Sequence, residues 1–546
     1  MSKVAYYLQE HLNGEVLATP AARRYFSTDA SIFGITPSVI VYPKNENDVR
    51  KTARFTWQLA ERGRIIPITA RGSGTDFTGG ALGSGIIMAF PAHMHRILEL
   101  DEKSGLVVVE PGTNYGKLQQ TLQTHGRFLP PYPASIEYST IGGAVANNAA
   151  GEKSVKYGST RGYVKGLRVV LGNGEVIETK RLNKRECNQK LGLTTFEGEI
   201  YRAVDTLLEE NQSAVDRLNA LEITKNATGY ALGEIKRRDG SFDLTPLFVG
   251  SQGTLGIITE IALETEPLSR ESSVFAAYFD DIQHVQAAIR ELRELPDMPS
   301  SIELVDEHLL NTAVQTNPNI LKGIIAAPFP KFILLVAFDS PGERLQKKLM
   351  KKTAKIFERY AKEHQVETEP VQQEQLWRIR QAASVINTIG DQNQRSVPAI
   401  GDGVVPLEHL GELLDGIYKM FARNQLPVAV WGHAGDGNLH VQPMLDLSQV
   451  GGRQMVFRLL EEYSNLVISL GGSISGEFND GRLHAPYLEK LYGPEAYTLL
   501  QKIKHIFDPY NLLNPGVKVN VQVDDIKPLL RQSYSLEHLL AHMPRS

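Results

Sequence analysis

Three glycine-rich segments constrain the fold of this chain more than any other feature. Residues 67–83 continue a β-type run and contain five glycines, and similar small-residue segments occur at 133–151 and 250–260. Glycine lets the backbone adopt positive φ and lets successive N–H groups converge on an anion such as a pyrophosphate. The pattern predicts a site where a long, phosphate-bearing cofactor lies against the main chain. On glycines alone, a loop without a ligand stays an alternative.

Spacing excludes two common nucleotide-binding motifs at these glycines. A P-loop requires the pattern GxxxxGK followed by serine or threonine, and no lysine follows the glycines of residues 67–83. The Rossmann fingerprint GxGxxG, with its acidic partner, is absent as well. A cofactor bound here would be held by neither of these motifs.

Composition is typical of a large soluble protein. The chain has 546 residues, of which 42% are hydrophobic and 22% are charged, enough for three to four units of about 150 residues. Its net charge is −4 and no long basic block stands out, which argues against general nucleic-acid binding. The one cysteine, Cys187, cannot form an internal disulfide or hold an iron–sulfur cluster. Its place in the charged run 181–187 predicts an exposed thiol.

Targeting signals are weak in this sequence. Residues 1–14 lack the apolar core of a secretory signal, so a cytoplasmic location is expected. The strongly apolar stretch 332–338 has the length of a strand, and no segment reaches the ~18 apolar residues that a membrane span requires. Peripheral contact with the inner face of a membrane stays open.

Short β-branched runs separated by glycine turns fill the first half of the chain, with helical patterns between them. One helix is predicted at residues 47–61 with Asn45 or Asn47 as its N-cap, and the Asn-Gly turn at 171–175 predicts a hairpin. Beyond this half, strand-like runs alternate with long charged helices, and the last segment is mainly helical. The predicted domains are residues 1–268, 269–484 and 485–546.

Two histidines lie seven residues apart across a glycine-rich turn. A strand–turn–strand interpretation brings His433 and His440 to one end of a hairpin, with Asp436 available to orient the turn. Two imidazoles and one carboxylate are the ligands expected of a catalytic, zinc-like ion with an open position. Without a third ligand, two core or surface histidines are the alternative interpretation.

The three glycine segments, in this order, resemble those of the flavoprotein superfamily of vanillyl-alcohol oxidase and p-cresol methylhydroxylase. Within it, the chain is similar to the branch of D-lactate, D-2-hydroxyglutarate and glycolate dehydrogenases over residues 20–520. The resemblance implies an α+β fold in which FAD lies extended between two subdomains of the first domain. It also implies an α/β substrate (cap) domain with a metal site and a helical C-terminal segment that returns to the FAD domain.

Matching positions imply which residues would hold the FAD. The first segment would cradle the pyrophosphate, and the second would line the path of the isoalloxazine and the adenosine. The implied cofactor-binding residues are Arg71, Gly72, Ser73, Gly74, Thr75, Pro133, Ser135, Gly142, Gly143, Ala149, Gly151, Ile257 and Asn514. Relatives with a covalent flavin attach it through a histidine in the first segment or a cysteine in the second. Neither is present here, which implies noncovalent FAD.

Segment 475–482 resembles the second metal-binding motif of the hydroxy-acid dehydrogenases. The implied ligands of a divalent zinc, manganese or iron ion are His433, His440 and Glu477. Relatives usually have a histidine base after this glutamate and then a glycine, whereas this chain has Phe478 and Asn479. Phenylalanine cannot accept a proton. Three interpretations follow: a different base (metal-bound hydroxide, or His440 if it is not a ligand), a different substrate, or an impaired site.

A Leu-Trp-x-x-Arg element at 376–380 resembles the family element whose arginine holds the substrate carboxylate, a task that suits a planar guanidinium fork. A structural ion pair is the alternative for Arg380. Asp402 is a weaker active-site candidate, and Gln442 lies where relatives often have asparagine near the substrate. Lys225, in a Lys-Asn-x-Thr-Gly-Tyr element, is expected at the flavin or domain interface. The implied catalytic residues are Arg380, His440, Asp402 and Gln442.

The resemblance implies an FAD-dependent dehydrogenase that oxidises a D-2-hydroxy acid, similar to D-lactate, to the 2-oxo acid. The C2 hydride would pass to flavin N5. Reoxidation would need an external acceptor such as a quinone, a cytochrome or an electron-transferring flavoprotein. The alternatives are a redox-neutral flavoenzyme resembling alkylglycerone-phosphate synthase and a noncatalytic flavin- or metal-binding protein. A homodimer stays open.

Overall fold

The computed structural model describes residues 3–388 and 394–537. The strands are β1 (Glu15–Leu17), β2 (Val39–Tyr42), β3 (Ile68–Arg71), β4 (Ile86–Ala89), β5 (Ile97–Asp101), β6 (Leu106–Val109), β7 (Arg127–Phe128), β8 (Val164–Val170), β9 (Val176–Thr179), β10 (Ile257–Glu264), β11 (Glu266–Pro267), β12 (Ser273–Phe279), β13 (Ser301–Asp306), β14 (Phe332–Phe338), β15 (Glu363–Glu367), β16 (Arg395–Ser396), β17 (Val430–His433), β18 (Asn438–Val441) and β19 (Met444–Leu445).

The α-helices are α1 (Lys3–His11), α2 (Pro20–Tyr25), α3 (Glu46–Ala60), α4 (Tyr115–Thr124), α5 (Ile141–Asn147), α6 (Ser154–Tyr157), α7 (Lys184–Leu191), α8 (Phe196–Glu210), α9 (Gln212–Leu218), α10 (Thr245–Phe248), α11 (Ile282–Arg293), α12 (Glu307–Thr316), α13 (Glu343–Tyr360), α14 (Pro370–Gln381), α15 (Leu410–Arg423), α16 (Val450–Ser469), α17 (Leu488–Tyr492), α18 (Pro494–Phe507) and α19 (Val523–Ile526). In this part of the chain, no helix combines the length and the apolar character that crossing a membrane requires.

Two sheets organise the first half of the chain. The first has the order β1-β2-β4-β3, and its β2/β4 and β3/β4 pairs are parallel. The second has the order β5-β6-β10-β8-β9 and is antiparallel throughout. The first glycine segment leaves the end of β3, and the second runs into α5. The third segment, 250–260, runs into β10 of the second sheet.

Local signals predicted two elements of this half. Asn45 caps α3 by accepting the Asp48 N–H, which confirms one of the two predicted caps. The turn at 171–175 joins β8 to β9 as an antiparallel hairpin, and Gly174 in it has a φ of 87°. Both elements depend on neighbours in sequence, which explains why the sequence predicts them.

The prediction of an exposed thiol is wrong. Cys187 lies on α7 and is its one buried position, while the charged residues around it stay on the solvent side. A short charged run can hide the buried face of a helix, because the positions of a helix that face the core recur every three to four residues. Burial raises the pKa of the Cys187 thiol.

The second half contains a six-stranded sheet of order β15-β12-β14-β13-β17-β18, in which the paired strands run antiparallel. Helices α11 and α13 pack on one face and α12 and α14 on the other. Alternate side chains of each strand point to opposite faces. Val305 and Trp431 belong to the face covered by α12 and α14, and the same alternation places Glu303 and His433 there. This face carries the charged site described below.

The C-terminal segment returns to the first sheet. The Ile68 N–H donates to the Leu512 carbonyl, and the Asn514 N–H donates to the Ile68 carbonyl. Helix α18 packs against α8 and α9. Its buried Lys504 forms an ion pair of 2.6 Å with Asp508. These contacts attach the end of the chain to the first domain; the domain boundaries themselves stay predictions.

Candidate functional site

A cavity of about 1160 Å³ lies between the first half of the chain and the six-stranded sheet of the second half. Its walls come from the glycine loop after β3, the segment before and within α5, helix α14, the β17–β18 hairpin and the segment around residue 480. Small-molecule sites usually enclose about 300–1,000 Å³. This cavity therefore has room for a long cofactor together with a substrate.

The glycine segments form one wall of the cavity. A Cβ on Gly72 would lie 2.3 Å from Thr140 Oγ1, so the two segments touch because this position has no side chain. Thr140 caps α5 by accepting the Gly143 N–H at 3.1 Å. The predicted cofactor residues that line the cavity are Arg71, Gly72, Ser73, Gly74, Thr75, Pro133, Ser135, Gly142, Gly143 and Ala149. The arrangement fits an extended dinucleotide held against main chain.

Arg71 lines the cavity and also anchors the glycine loop through its guanidinium. Its buried guanidinium donates to the Thr28 carbonyl at 2.9 Å and lies over the Phe26 ring at 5.1 Å. A Cβ on Gly74 would meet this guanidinium at 2.4 Å. Arg71 therefore fixes the glycine loop from behind.

Ile257 was predicted at the cofactor, and the structure corrects this position by one residue. Ile257 packs in the hydrophobic core with Val170, whereas Ile258 lines the cavity. Neighbouring side chains of β10 point to opposite faces, so only one of the two can face the cavity.

Gly151 and Asn514 also lie outside the cavity lining, contrary to prediction. A Cβ on Gly151 would lie 2.1 Å from the Tyr132 carbonyl oxygen, so the glycine serves a close approach of two backbone segments. The Asn514 amide donates to the Gly80 carbonyl at 2.7 Å and accepts from the Thr69 hydroxyl at 3.0 Å. Its side chain joins the C-terminal segment to the first sheet.

The β17–β18 hairpin brings the two predicted histidine ligands together. His433 pairs with Asn438 and His440 with Trp431, so the two imidazoles lie diagonally on one face with ring centroids 5.1 Å apart. Glu477 reaches both: its carboxylate oxygens lie 3.3 Å from His433 Nε2 and 3.2 Å from His440 Nε2. All three are buried, and one potential ligand atom from each lies within 4.8 Å of the others.

Second partners orient both imidazoles toward this cluster. His433 Nδ1 lies 2.6 Å from Glu303 Oε1, and His440 Nδ1 lies 2.9 Å from the Gly401 carbonyl oxygen. In the neutral ring, with Nδ1 donating to these acceptors, each Nε2 would offer its lone pair to a metal ion held together with Glu477. A carboxylate–histidine pair of this kind is usual behind metal-bound histidines. Two imidazole nitrogens and a carboxylate fit divalent zinc, manganese or iron.

Glu303 is a charged site residue that the sequence analysis missed. It is fully buried on β13 and accepts from Arg380 Nε at 2.7 Å as well as from His433. Burial would raise the pKa of Glu303, but His433 and Arg380 outweigh burial and hold it below its usual value. An acid flanked by Ile302 and Leu304 in a buried strand was the available signal, because carboxylates are almost never fully buried without a partner.

Lys225 was expected at the flavin or domain interface, and the structure places its ammonium beside Glu477. Its buried Nζ lies 3.1 Å from Glu477 Oε2, 3.2 Å from Ser154 Oγ and 3.7 Å from Asp436 Oδ2. Against the effect of burial, Lys225 and His433 hold the pKa of Glu477 well below its usual value. Lys225 thus joins the first domain to the cluster and keeps Glu477 ionised.

Asp402 supports the segment that carries Glu477. It accepts from the Ser475 hydroxyl at 2.5 Å and from the N–H groups of Glu477 at 3.2 Å and Phe478 at 2.8 Å. Burial and the Glu477 carboxylate raise the pKa of Asp402. We therefore regard Asp402 as a positioning residue. Gln442 lines the cavity and accepts from the Ser396 hydroxyl at 2.7 Å.

Phe478 and Asn479 are well accommodated. The Phe478 ring stacks on the His440 imidazole, with centroids 5.5 Å apart and an interplanar angle of 15°. Asn479 has a φ of 70°, which asparagine tolerates better than most residues. Its amide donates to the Asn147 and Gly250 carbonyls, both at 3.0 Å. The loop is packed and hydrogen-bonded around its unusual residues.

We expect the affinity of this cluster for a divalent metal to rise with pH. Burial opposes the charged form of His433, but the Glu303 and Glu477 carboxylates raise its pKa to about 9 in the metal-free protein. Metal binding through Nε2 requires the neutral ring and so releases a proton below that pKa. Equilibrium dialysis with Mn²⁺ should show the affinity rising about tenfold per pH unit from roughly pH 7 until it levels off above the His433 pKa. A pH-independent affinity would contradict this assignment.

Comparison with known proteins supports this description. An FAD binding domain model matches residues 37–180, and the C-terminal domain model of the FAD linked oxidases matches residues 268–517. D-2-hydroxyglutarate dehydrogenase of Escherichia coli K12 is 30% identical over 93% of this chain and 50% of its own length. Glycolate oxidase subunit GlcD of Bacillus subtilis 168 is 28% identical over 91% of this chain and 92% of its own. This chain spans about half the length of the D-2-hydroxyglutarate dehydrogenases that it matches.

Solved structures confirm the predicted fold. p-Cresol methylhydroxylase with substrate bound superposes with a TM-score of 0.67 at 16% identity, over 96% of this chain and 97% of that one. An alkyldihydroxyacetonephosphate synthase superposes with a TM-score of 0.64 at 15% identity, over 94% and 84% of the two chains. The fold is the predicted α+β arrangement of an FAD-binding domain and a C-terminal cap domain. With both family models matched, the chain belongs to the FAD-linked oxidases, and its fold is that of p-cresol methylhydroxylase.

Proposed function

We propose that this chain is an FAD-dependent dehydrogenase that oxidises a D-2-hydroxy acid to the 2-oxo acid and passes the electrons to an external acceptor. The observation that carries the proposal is one cavity in which the glycine-lined wall leads to Arg380 beside the buried His433, His440 and Glu477. Relatives named D-2-hydroxyglutarate dehydrogenase, glycolate oxidase subunit and D-lactate dehydrogenase support the substrate class. A quinone, a cytochrome or an electron-transferring flavoprotein would serve as the acceptor.

The roles of the residues follow from their chemistry. Arg380 offers a guanidinium to the substrate carboxylate, and Glu303 fixes the orientation of that guanidinium through Nε. A divalent metal, when bound by the His–His–Glu cluster, would polarise the substrate hydroxyl and lower its pKa. FAD, when bound, would accept the C2 hydride, so that the alcohol loses two electrons and one hydroxyl proton. Positioning and charge stabilisation would then carry the rate.

The hydroxyl proton needs an acceptor other than Phe478. Both nitrogens of His440 are engaged, Nδ1 with the Gly401 carbonyl and Nε2 with Glu477. This arrangement favours the role of a metal ligand over that of a base for His440.

An anaerobic absorption spectrum tests the proposed function. The purified yellow protein, loaded with Mn²⁺ or Zn²⁺, is mixed in turn with D- and L-lactate, D-2-hydroxyglutarate, glycolate, D-malate and D-phenyllactate. We expect the flavin band to bleach with D-enantiomers and to keep its intensity with L-lactate. Bound FAD that no hydroxy acid reduces would favour the noncatalytic alternative.

Replacing Arg380 by lysine is expected to lower kcat/KM for flavin reduction about 30-fold, because lysine keeps the charge but loses the planar fork. Stopped-flow reduction at several substrate concentrations measures this change, and KM should carry most of it. Arg378→Lys is the matched control, since Arg378 is exposed on the same helix and outside the cavity lining. Equal effects of the two substitutions would remove Arg380 from the carboxylate site.

A further inference from the structure

Aromatic rings surround the charged end of the cavity. Phe478 stacks on the His440 imidazole, and Trp431 lies on another side of the same imidazole with centroids 6.2 Å apart. Trp377 lines the cavity one helical turn before Arg380 on α14. The groups that would hold a carboxylate and a hydroxyl are thus enclosed by apolar surface.

The apolar wall continues away from these groups. The ring of Phe77 meets Phe478 edge-on, with centroids 5.2 Å apart. Phe77 packs in one cluster with the half-buried Tyr138 and Leu536, and all of them line the cavity. A substrate side chain that extends from the charged end along this wall meets hydrocarbon and aromatic edges.

Cationic partners for a second carboxylate are missing from the described lining. Within residues 3–388 and 394–537, Arg71 and Arg380 are the lysine or arginine side chains that line the cavity. Arg71 is buried against the Thr28 carbonyl behind the glycine loop. Residues 389–393 contain no lysine or arginine in the sequence. Among the described lining residues, Arg380 is therefore the arginine left for the carboxylate at C1.

An acidic group of the lining also disfavours a second carboxylate on the substrate. Glu374 lines the cavity three residues before Trp377, on the same face of α14. Residues three apart on a helix are neighbours on its surface. A second carboxylate in this region would meet negative charge and no lysine or arginine of the described lining other than the two named above. Unpaired charge is an effective way to reject a competing ligand.

We propose that the site selects D-2-hydroxy acids with one carboxylate and an apolar, preferentially aromatic, side chain, and that it rejects dicarboxylates. The inference rests on the proposed function and names the substrate class of the same site. Phe478 is the residue that sets this preference, because its ring borders both the His440 imidazole and the Phe77 wall.

The holoenzyme itself decides the question. Flavin reduction is measured anaerobically with D-lactate, D-2-hydroxyisocaproate, D-phenyllactate and D-2-hydroxyglutarate. We expect kcat/KM for D-phenyllactate to be at least tenfold higher than for D-lactate. It should also be at least a hundredfold higher than for D-2-hydroxyglutarate. A kcat/KM for D-2-hydroxyglutarate equal to or above that for D-phenyllactate overturns the inference.

A binding measurement separates failure of this inference from failure of the proposed function. Phenylpyruvate and 2-oxoglutarate are titrated into the oxidised holoenzyme, and the shift of the flavin spectrum is followed without turnover. Selective binding of phenylpyruvate with no reduction by any hydroxy acid would reject the dehydrogenase and retain the selectivity. Equal binding of both oxo acids would reject the selectivity whether or not the protein is active.

Substitution of Phe478 tests its role in the preference for aromatic substrates. Phe478→Ala is expected to lower the D-phenyllactate to D-lactate ratio of kcat/KM about tenfold, and Phe478→Leu, the conservative control, should retain most of it. FAD and metal contents are measured in both variants, since a merely structural effect would change those contents and leave the ratio alone. An unchanged ratio in Phe478→Ala overturns the assignment of Phe478.

Discussion

Replacing Glu477 by glutamine is expected to remove the bound divalent metal and to lower the rate of flavin reduction about a thousandfold, the effect of losing several kcal/mol of charge stabilisation. Glutamine keeps the shape of the side chain but removes the negative charge that faces both Nε2 atoms at 3.2–3.3 Å. The substitution also leaves the buried ammonium of Lys225, 3.1 Å away, without its nearest carboxylate. A buried cation without its partner is costly, so the metal-free protein should lose stability as well.

Metal content measured by mass spectrometry and anaerobic stopped-flow reduction test this expectation together. Glu412→Gln is the control, because Glu412 is an exposed acid whose ion pair, in the described part of the chain, is with the surface residue His409. FAD content should stay at one per chain in both variants, since the glycine segments lie elsewhere in the cavity. A Glu477→Gln protein that keeps its metal and its rate would show that the cluster is not the metal site.

Features of this site that depend on local sequence could be predicted. The glycine segments predict their own backbone conformation. The seven-residue spacing of His433 and His440 brings both rings to one face once the hairpin forms. The position of Glu477 could not be predicted from local sequence, because α16 separates it from the hairpin. Only the resemblance to relatives pointed to it. The placement of Arg380 on a cavity-lining helix face followed from the same resemblance.

Features that depend on distant partners could not be predicted from sequence. Glu303 and Lys225 acquire their roles only when β13 and a loop of the first domain meet the hairpin. Ile257 came from matching positions with relatives, and neighbouring side chains of a strand point to opposite faces, so a difference of one position separates the core from the cavity. Asn514 is a residue type suited to a flavin contact, but in the folded chain its amide donates a hydrogen bond to the Gly80 carbonyl.

Replacing Lys518 by methionine is expected to destabilise the folded protein by about 3–5 kcal/mol, the usual cost of removing one partner from a buried ion pair. Lys518 and Asp480 are both fully buried, and Lys518 Nζ lies 2.6 Å from Asp480 Oδ2. The same ammonium donates to Asn479 Oδ1 at 2.6 Å. Without it, Asp480 keeps the Gly229 N–H at 2.8 Å but loses its counterion.

Denaturation in urea measures this change, and a double substitution identifies its cause. Lys518→Met combined with Asp480→Asn removes both charges and should recover most of the loss, because a buried pair replaced as a whole is often close to neutral. Lys527→Met, which breaks an exposed ion pair with Asp524, should cost less than about 1 kcal/mol. Since Asn479 and Asp480 lie two and three residues after Glu477, the single variant should also bind metal more weakly, and the double variant should regain part of that affinity. A Lys518→Met protein as stable as the unmodified chain would mean that the C-terminal segment does not fix the loop that carries Glu477.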